Sequence, residues 1–331
     1  MRPVKVVVVG SNSFSGSDFI DLLLEKGSYQ AAGVSRSPEK SEIFLPYKKR
    51  SGSDFQFHQM DLNRDMPRLL NFLDSFAPDF IVNFACQSEV APSWENPDHW
   101  FETNCVAFSK LVNHLRGKNY LKRYVHISTP EVYGNAAGSL NENTPLNPST
   151  PYAVSRAAQD QLLKIYRERF SFPVVTVRSA NVFGAHQQLW KIIPRSVIHI
   201  ESGRKIPLEG GGKARRSFIH IRDVSEGELL AMEKGQNGAV YHFSTETTQP
   251  VKEVVETVCR QMGTTLARAA EIVGDRVGQD TAYPLDTGRS RRELGWRARV
   301  GLEEGVREVI AWVRSHWNAI QNEPLEYVHR S

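Results

Sequence analysis

Cysteine is scarce in this 331-residue chain: Cys86, Cys105 and Cys259 are odd in number, far apart and without a Cys-x-x-Cys pair. That composition offers neither a disulfide framework nor zinc-site spacing, so no metal is expected. Long apolar runs are missing too. The β-branched stretch Val4-Lys5-Val6-Val7-Val8-Val9 falls far short of the roughly 18 residues a membrane helix needs. It follows Met1-Arg2-Pro3 directly, without a secretory leader pattern, so the expected compartment is the cytoplasm. Charge of one sign is lacking as well. The 41 Lys and Arg are interleaved with 37 Asp and Glu, leaving a net charge of +4 and no basic tract that would imply nucleic acid. Internal repeats and low-complexity segments are absent. What remains, 40% hydrophobic and 24% charged residues, suits a globular protein with a real core.

The first 180 or so residues alternate short apolar runs with amphipathic stretches. Val4–Val9 reads as a strand buried on both faces. Further strand-like runs are 30–35, 55–60, 80–85, 124–128 and 174–177. Between them, Met66, Leu69, Leu70 and Leu73 recur at helical spacing, as do Phe101, Phe108, Leu111, Val112 and Leu115. Strands alternating with helices imply βαβ units, hence an α/β fold with a Rossmann-type, doubly wound parallel sheet. Beyond residue 180 glycine and proline punctuate shorter elements, with helical patterns returning at 251–262 and 302–312. We read 1–180 as a cofactor-binding domain, to which segments around 215–245 return, and 181–331 as a smaller α/β substrate lobe.

The segment Gly10-Ser11-Asn12-Ser13-Phe14-Ser15-Gly16 directly follows the first strand and opens a helix. In a Rossmann unit, Gly10 and Gly16 let backbone approach a pyrophosphate, and the free N–H groups of the helix start receive the anion. Ser13 takes the middle small position. The alternative is a tight βα turn without a ligand. An NAD site places a carboxylate at the end of the second strand, for the ribose 2′-hydroxyl. Here that end reads Ser35-Arg36-Ser37, where an arginine flanked by two hydroxyls can pair with a 2′-phosphate. NADP is therefore expected, with NAD the alternative. Asp61, after the third strand, can accept from an adenine amino group or cap a helix.

Tyr152 and Arg156, at i and i+4 near a helix start after Thr150-Pro151, share one helix face. A cation so placed lowers a phenol's pKa and makes tyrosinate a usable base. Ser128-Thr129-Pro130-Glu131-Val132-Tyr133-Gly134 lies at a strand's C-terminal end, where open α/β sheets bind ligands.

These features, together with Asn83-Phe84-Ala85-Cys86-Gln87-Ser88, resemble the extended short-chain dehydrogenase/reductases over nearly the whole chain. The resemblance is nearest to the nucleotide-sugar 4,6-dehydratases. It implies roles for Thr129, Glu131, Tyr152 and Arg156 in catalysis. Gly10, Ser13, Phe14, Gly16, Ser35, Arg36, Ser37, Asp61, Leu62, Ala85, Tyr152 and Arg156 would bind the cofactor. Ser88, Ser128, Asn181, Arg216 and Arg276 would bind a nucleotide-diphosphate sugar. Arg216 lies in Arg-Ser-Phe-Ile-His-Ile-Arg-Asp (216–223). Arg276 lies in Asp-Arg-Val-Gly-Gln-Asp (275–280), which is followed by Tyr283 and Asp286. The resemblance also implies a homodimer formed by helices around 101–115 and 152–170, the second carrying Leu162, Leu163 and Tyr166.

Two positions depart from the family pattern. Arg156 stands where the family has lysine; it keeps the charge but cannot shuttle a proton. Pro130 stands where dTDP-glucose dehydratases carry an acid, leaving Glu131 as the one carboxylate of that segment. The expected activity is a 4,6-dehydration. A UDP-glucuronate decarboxylase, a C4 epimerase, or a non-catalytic NADP-binding regulator on the same scaffold remain as alternatives.

Overall fold

The computed structural model describes residues 2–50, 52, 54–135, 138–274 and 284–329. The β-branched and apolar runs form one seven-stranded parallel sheet. Its strands are β1 (Val4–Val9), β2 (Tyr29–Ser35), β3 (Phe55–Gln59), β4 (Phe80–Asn83), β5 (Arg123–Ile127), β6 (Val174–Ser179) and β7 (Val240–Phe243). In space they run β3-β2-β1-β4-β5-β6-β7. Val4 pairs with Tyr29 on one side of β1 and Val6 with Phe80 on the other. The strand order thus reverses between β1 and β4, opening the crevice in which doubly wound sheets bind ligands.

The main helices are α1 (Phe14–Lys26), α2 (Met66–Phe76), α3 (Phe108–Leu115), α4 (Pro151–Phe170), α5 (Ile192–Glu201), α6 (Ile221–Lys234), α7 (Val251–Gln261) and α8 (Leu302–Ser315). Strand alternation explains the two sides of the core. Val6 and Val8 pack with Phe19 and Ile20 of α1 and Met232 of α6. Val7 and Val9 pack with Leu69 and Leu73 of α2, Leu111 of α3 and Leu163 of α4. A third cluster joins Val197 of α5, Val254 of α7 and Val309 of α8. The chain thus leaves the sheet after β6, and α6 and β7 come back to it.

The pattern through Phe101–Leu115 predicts one helix, but the path has a kink in its helical register. A short helix, Pro97–Phe101, leads into a π-helical turn at Glu102–Ala107 before α3 begins. The wider turn brings Asn104 inward to partners described below. On α4, Leu163 is buried, and Leu162 and Tyr166 pack partly against the same sheet face. The apolar surface left exposed on this helix is instead Val154, Ile165 and Phe170.

Glu228 on α6 is fully buried, and neither carboxyl oxygen has a hydrogen-bond partner among the described residues. Burial, with the nearby Asp18 charge added, pushes its pKa well above the ordinary value. A raised folded-state pKa gives stability that is full below the unfolded value, about 4.3, and is lost as pH rises toward the folded one. Glu228→Met fills a similar volume without polar atoms. It is expected to gain about 1–3 kcal/mol over wild type at slightly alkaline pH, and much less near pH 4. Urea unfolding at the two pH values measures this, and a gain independent of pH would contradict it.

Candidate active site

The turn after β1 is built for close backbone approach. Gly10 has φ of 88°, and a Cβ there would sit 2.7 Å from the Ala85 amide nitrogen and 2.8 Å from the Phe84 carbonyl carbon. Ser13 caps α1, its Oγ accepting from the Gly16 amide at 3.0 Å. Asn12 ties this turn to the end of β2. Its amide donates to Ser35 Oγ at 3.0 Å, and its Nδ2 donates to Ser37 Oγ at 3.2 Å. Each serine accepts there and keeps its own proton to donate. Arg36 between them is exposed.

Above this turn lies a cleft of about 550 Å³. Gly10, Ser13, Ser35, Arg36, Ser37, Asp61, Leu62, Ala85 and Ser88 line it, all expected from sequence. Phe14 and Gly16 are buried and stand outside the described lining. Gly16 instead lets α1 pack on the turn, since a Cβ there would meet the Gly10 carbonyl oxygen at 2.5 Å. Asp61 caps no helix: its Oδ1 accepts from the Asn63 amide at 2.8 Å, and Asp65 takes the cap position of α2. The loop after α4 and β6 adds Gln188, Leu189 and Trp190 to the lining. Glu89, also in the lining, pairs with Lys191 at 2.7 Å.

The catalytic candidates gather beside this cleft, at the C-terminal end of β5. Thr129 caps the short 3-10 turn Pro130–Tyr133 that presents Glu131, its Oγ1 accepting from the Glu131 amide at 3.3 Å. The turn ends at Gly134, with φ of 61°, where a Cβ would collide with the Asn147 carbonyl. Thr150 caps α4 through the Ala153 amide at 3.1 Å, which sets Tyr152 in the first turn. The Thr129 hydroxyl also donates to the Tyr152 phenol, and Glu131 is close enough for its charge to act on it.

Arg156 lies one turn further along α4, 2% exposed, its guanidinium donating to the Ile127 carbonyl at the end of β5. Burial raises the Tyr152 pKa, helped by the charges of Cys86 and Glu131, while Arg156 and the Thr129 hydrogen bond pull it down. The net shift is upward. The i, i+4 cation acts in the direction the sequence predicts, but burial outweighs it, and the phenol is neutral in the protein alone.

Asn104 joins the two halves of the site. Its Nδ2 donates to Gln87 O at 3.0 Å and to Ser155 Oγ at 2.9 Å, and its Oδ1 accepts from the Gln87 amide at 2.9 Å. The cleft loop 86–88 is thereby fixed to the helix that carries Tyr152. Asn104 reaches it from the π-helical turn, a feature often found at functional sites.

The substrate candidates are less gathered. Ser88 is exposed in the cleft. Ser128 donates its proton inward to Asp160 at 2.9 Å. Asn181 and Arg216 lie on two short strands of the lobe, and Arg216 Nη1 donates to the Arg215 carbonyl at 2.7 Å. Arg276, with the rest of 275–280 and Tyr283, lies outside the described residues; Asp286 accepts from the Gly288 amide at 2.7 Å.

The family described as GDP-mannose 4,6-dehydratase matches residues 7–309 of this chain. The chain belongs to that family. Among its relatives, the dTDP-D-glucose 4,6-dehydratase of Mus musculus is 30% identical over 326 residues, covering 96% of this chain and 91% of the mouse protein. A trifunctional UDP-glucose 4,6-dehydratase/epimerase/reductase of Arabidopsis thaliana is 27% identical over 317 residues; the match covers 94% of this chain but 47% of the plant protein. The solved dTDP-glucose 4,6-dehydratase of Streptomyces venezuelae, with NAD bound, superposes with a TM-score of 0.88 at 29% identity, covering 98% of this chain and 100% of that one. Family membership confirms the dehydratase resemblance carried by the glycine turn and the Tyr152 helix.

Proposed function

We propose that this family member is a nucleotide-sugar 4,6-dehydratase: it forms a 4-keto-6-deoxy sugar and restores its nicotinamide cofactor in every cycle. The observation that carries the reading is the meeting of Thr129, Glu131 and Tyr152 at the end of β5, beside the cleft. The cleft suits a dinucleotide. Gly10 lets the turn pack against the Phe84–Ala85 backbone at the cleft wall, where a Cβ would clash, the α1 N-terminus can receive a pyrophosphate, and Asp61 and Leu62 line the wall beyond β3.

When bound, the oxidised nicotinamide supplies a hydride acceptor and a positive charge, which acts on Tyr152 in the same sense as Arg156. Tyr152 then takes the proton from the sugar O4 while Thr129 holds that oxygen by a hydrogen bond. The resulting 4-ketone acidifies C5–H, and Glu131 removes that proton. Glu131 returns it to the departing 6-hydroxyl, which leaves as water; C6 then regains the hydride that C4 gave up and C5 takes a proton exchanged with solvent, which completes the 4-keto-6-deoxy sugar. Arg156 positions Tyr152 and holds the end of β5. Its guanidinium stays charged, so the O4 proton passes to Tyr152 and not to Arg156. We assign the sheet half to cofactor binding and residues 181–331 to the sugar nucleotide, with Arg216 and Arg276 on its diphosphate and Ser88 and Asn181 on the sugar side.

A panel of GDP-, dTDP-, UDP- and CDP-sugars, read by mass spectrometry, tests the activity. Loss of one water supports the dehydratase. Loss of CO2, or isomerisation without mass change, would replace it by a decarboxylase or an epimerase.

NADP is the proposed form of the cofactor. Arg36 stands at the end of β2 between two serines whose protons remain to be donated, and no carboxylate occupies that strand end. Arg36→Ala should cost about 1.5–3 kcal/mol of NADPH binding, roughly 10- to 150-fold in affinity, and leave NADH nearly unchanged. Fluorescence titration of both cofactors checks this; equal losses would turn the assignment to NAD.

The assembly we propose is a homodimer. Val154 and Ile165 are exposed on α4, together with Ala158 and Gln161 between them on the same face. Phe101 and Val106 are exposed on the neighbouring helical segment. Light scattering at micromolar concentration should give twice the chain mass, and Ile165→Glu should halve it. A monomeric wild type would rule out this assembly.

A further inference from the structure

The segment Glu323–His329 crosses the mouth of the cleft. Glu323, Pro324, Glu326, Tyr327 and Val328 all line it. Both ends of the segment are fastened. Leu325 packs against the third core cluster, in the lobe. The His329 ring stacks on Trp100 with centroids 5.1 Å apart and 18° between planes, in the short helix Pro97–Phe101 of the sheet half. His329 Nε2 also lies 2.9 Å from His99 Nδ1. Between the anchors, the Tyr327 ring meets Trp190 edge-on at 5.7 Å. Burial raises the Tyr327 phenol, Glu89 and Cys86 add to the rise, and Arg36 opposes it.

We infer that Glu323–His329 completes the cofactor site as a retaining strap, with Tyr327 and His329 as its positioning residues. The inference rests on the cofactor reading above and gives it a kinetic consequence. An enzyme that returns its hydride to the product has no need to exchange its dinucleotide between turnovers. A strap joined to both halves of the molecule slows dissociation of the cofactor without obstructing that cycle. Trp100 is fully buried and supplies a rigid face for the far anchor. Glu89, which lines the same cleft, pairs with Lys191 next to Trp190, the partner of Tyr327.

The test is the dissociation rate of bound NADPH from the full chain, followed by loss of nicotinamide fluorescence after mixing with excess oxidised cofactor. Tyr327→Ala and His329→Ala each remove one aromatic contact. Each should raise the off-rate by about threefold to tenfold. Tyr327→Phe keeps the contact with Trp190 and should retain the slow rate, which separates loss of the strap from general loosening of the fold. A smaller rise in either alanine variant, with NADPH still bound by the wild type, would overturn the strap alone. If the wild type binds neither NADPH nor NADH, the cofactor reading fails, and the strap as a cofactor-retaining device fails with it.

Discussion

Glu131→Gln is expected to stop the reaction half-way. The variant should fold, bind cofactor and oxidise C4, then accumulate a 4-keto sugar that has lost no water. Removing a general base costs about 10²–10⁴-fold in rate, and that loss should fall entirely on the elimination. Two local facts sharpen this expectation. Glu131 is held by a 3-10 turn capped by Thr129, so an isosteric amide leaves the backbone in place. Pro130 offers no neighbouring acid to take over the proton. Tyr152→Phe should stall on the other side, with no ketone and no reduced-nicotinamide absorbance, because the O4 proton has no acceptor. Solvent deuterium should enter C5 with the wild type and fail to enter with Glu131→Gln. Near-native dehydration by Glu131→Gln would remove Glu131 from the mechanism and favour an epimerase-like chemistry.

What the sequence made legible follows a physical division. Period-2 and period-3.6 patterns are local, and they located β1, its glycine turn and α1, as well as the helix start at Tyr152. The π-helical turn at Glu102–Ala107 leaves the apolar spacing of Phe101–Leu115 nearly intact, so the register change that brings Asn104 to Gln87 and Ser155 is hidden. The pKa of Tyr152 shows the same limit. The spacing to Arg156 reveals a cation on the same helix face, but not the burial that outweighs it. Ser128 is a polar residue at a strand end, and only the fold shows its hydroxyl turned inward to Asp160. Tyr327 and His329 belong to a short stretch without periodicity, and their partners Trp190 and Trp100 are distant in sequence. The one available signal was the pair of aromatic side chains two residues apart in the short stretch after Pro324.

Asp160 is where substitution should cost the fold most. It stands one turn beyond Arg156 on α4, facing the same strand ends, in a buried polar network that no local pattern could assemble. Arg178 Nη2 donates to Asp160 Oδ2 at 2.7 Å, Ser128 Oγ donates to the same oxygen at 2.9 Å, and His126 Nε2 lies 3.2 Å from Oδ1. Arg178 also donates to the Tyr133 hydroxyl, which bonds His242 Nε2 at 2.7 Å. His242 is neutral, its pKa pushed down to about 3 by burial and the Arg178 charge, and its Nδ1 donates to the Asp286 carbonyl at 3.1 Å. Burial acts to raise the Asp160 carboxyl, but Arg178 and His126 outweigh it and hold it well below the ordinary range. A depressed folded pKa means stability that is present above the unfolded value, about 3.9, and lost as pH falls through the folded one. Asp160→Ala leaves Arg178 buried and 4% exposed with its carboxylate gone. The expected loss is about 3–5 kcal/mol, read from urea midpoints at neutral pH, with a flatter acid limb than wild type. Asp160→Ala/Arg178→Met removes both charges and should recover much of that loss, because the cost lies in the uncompensated charge. The double variant should still turn over slowly, since Ser128 has lost Asp160 and Tyr133 has lost Arg178, and these residues flank Thr129 and Glu131. A single variant within about 1 kcal/mol of wild type, the range of an exposed ion pair, would mean that the network positions the strand end without stabilising it.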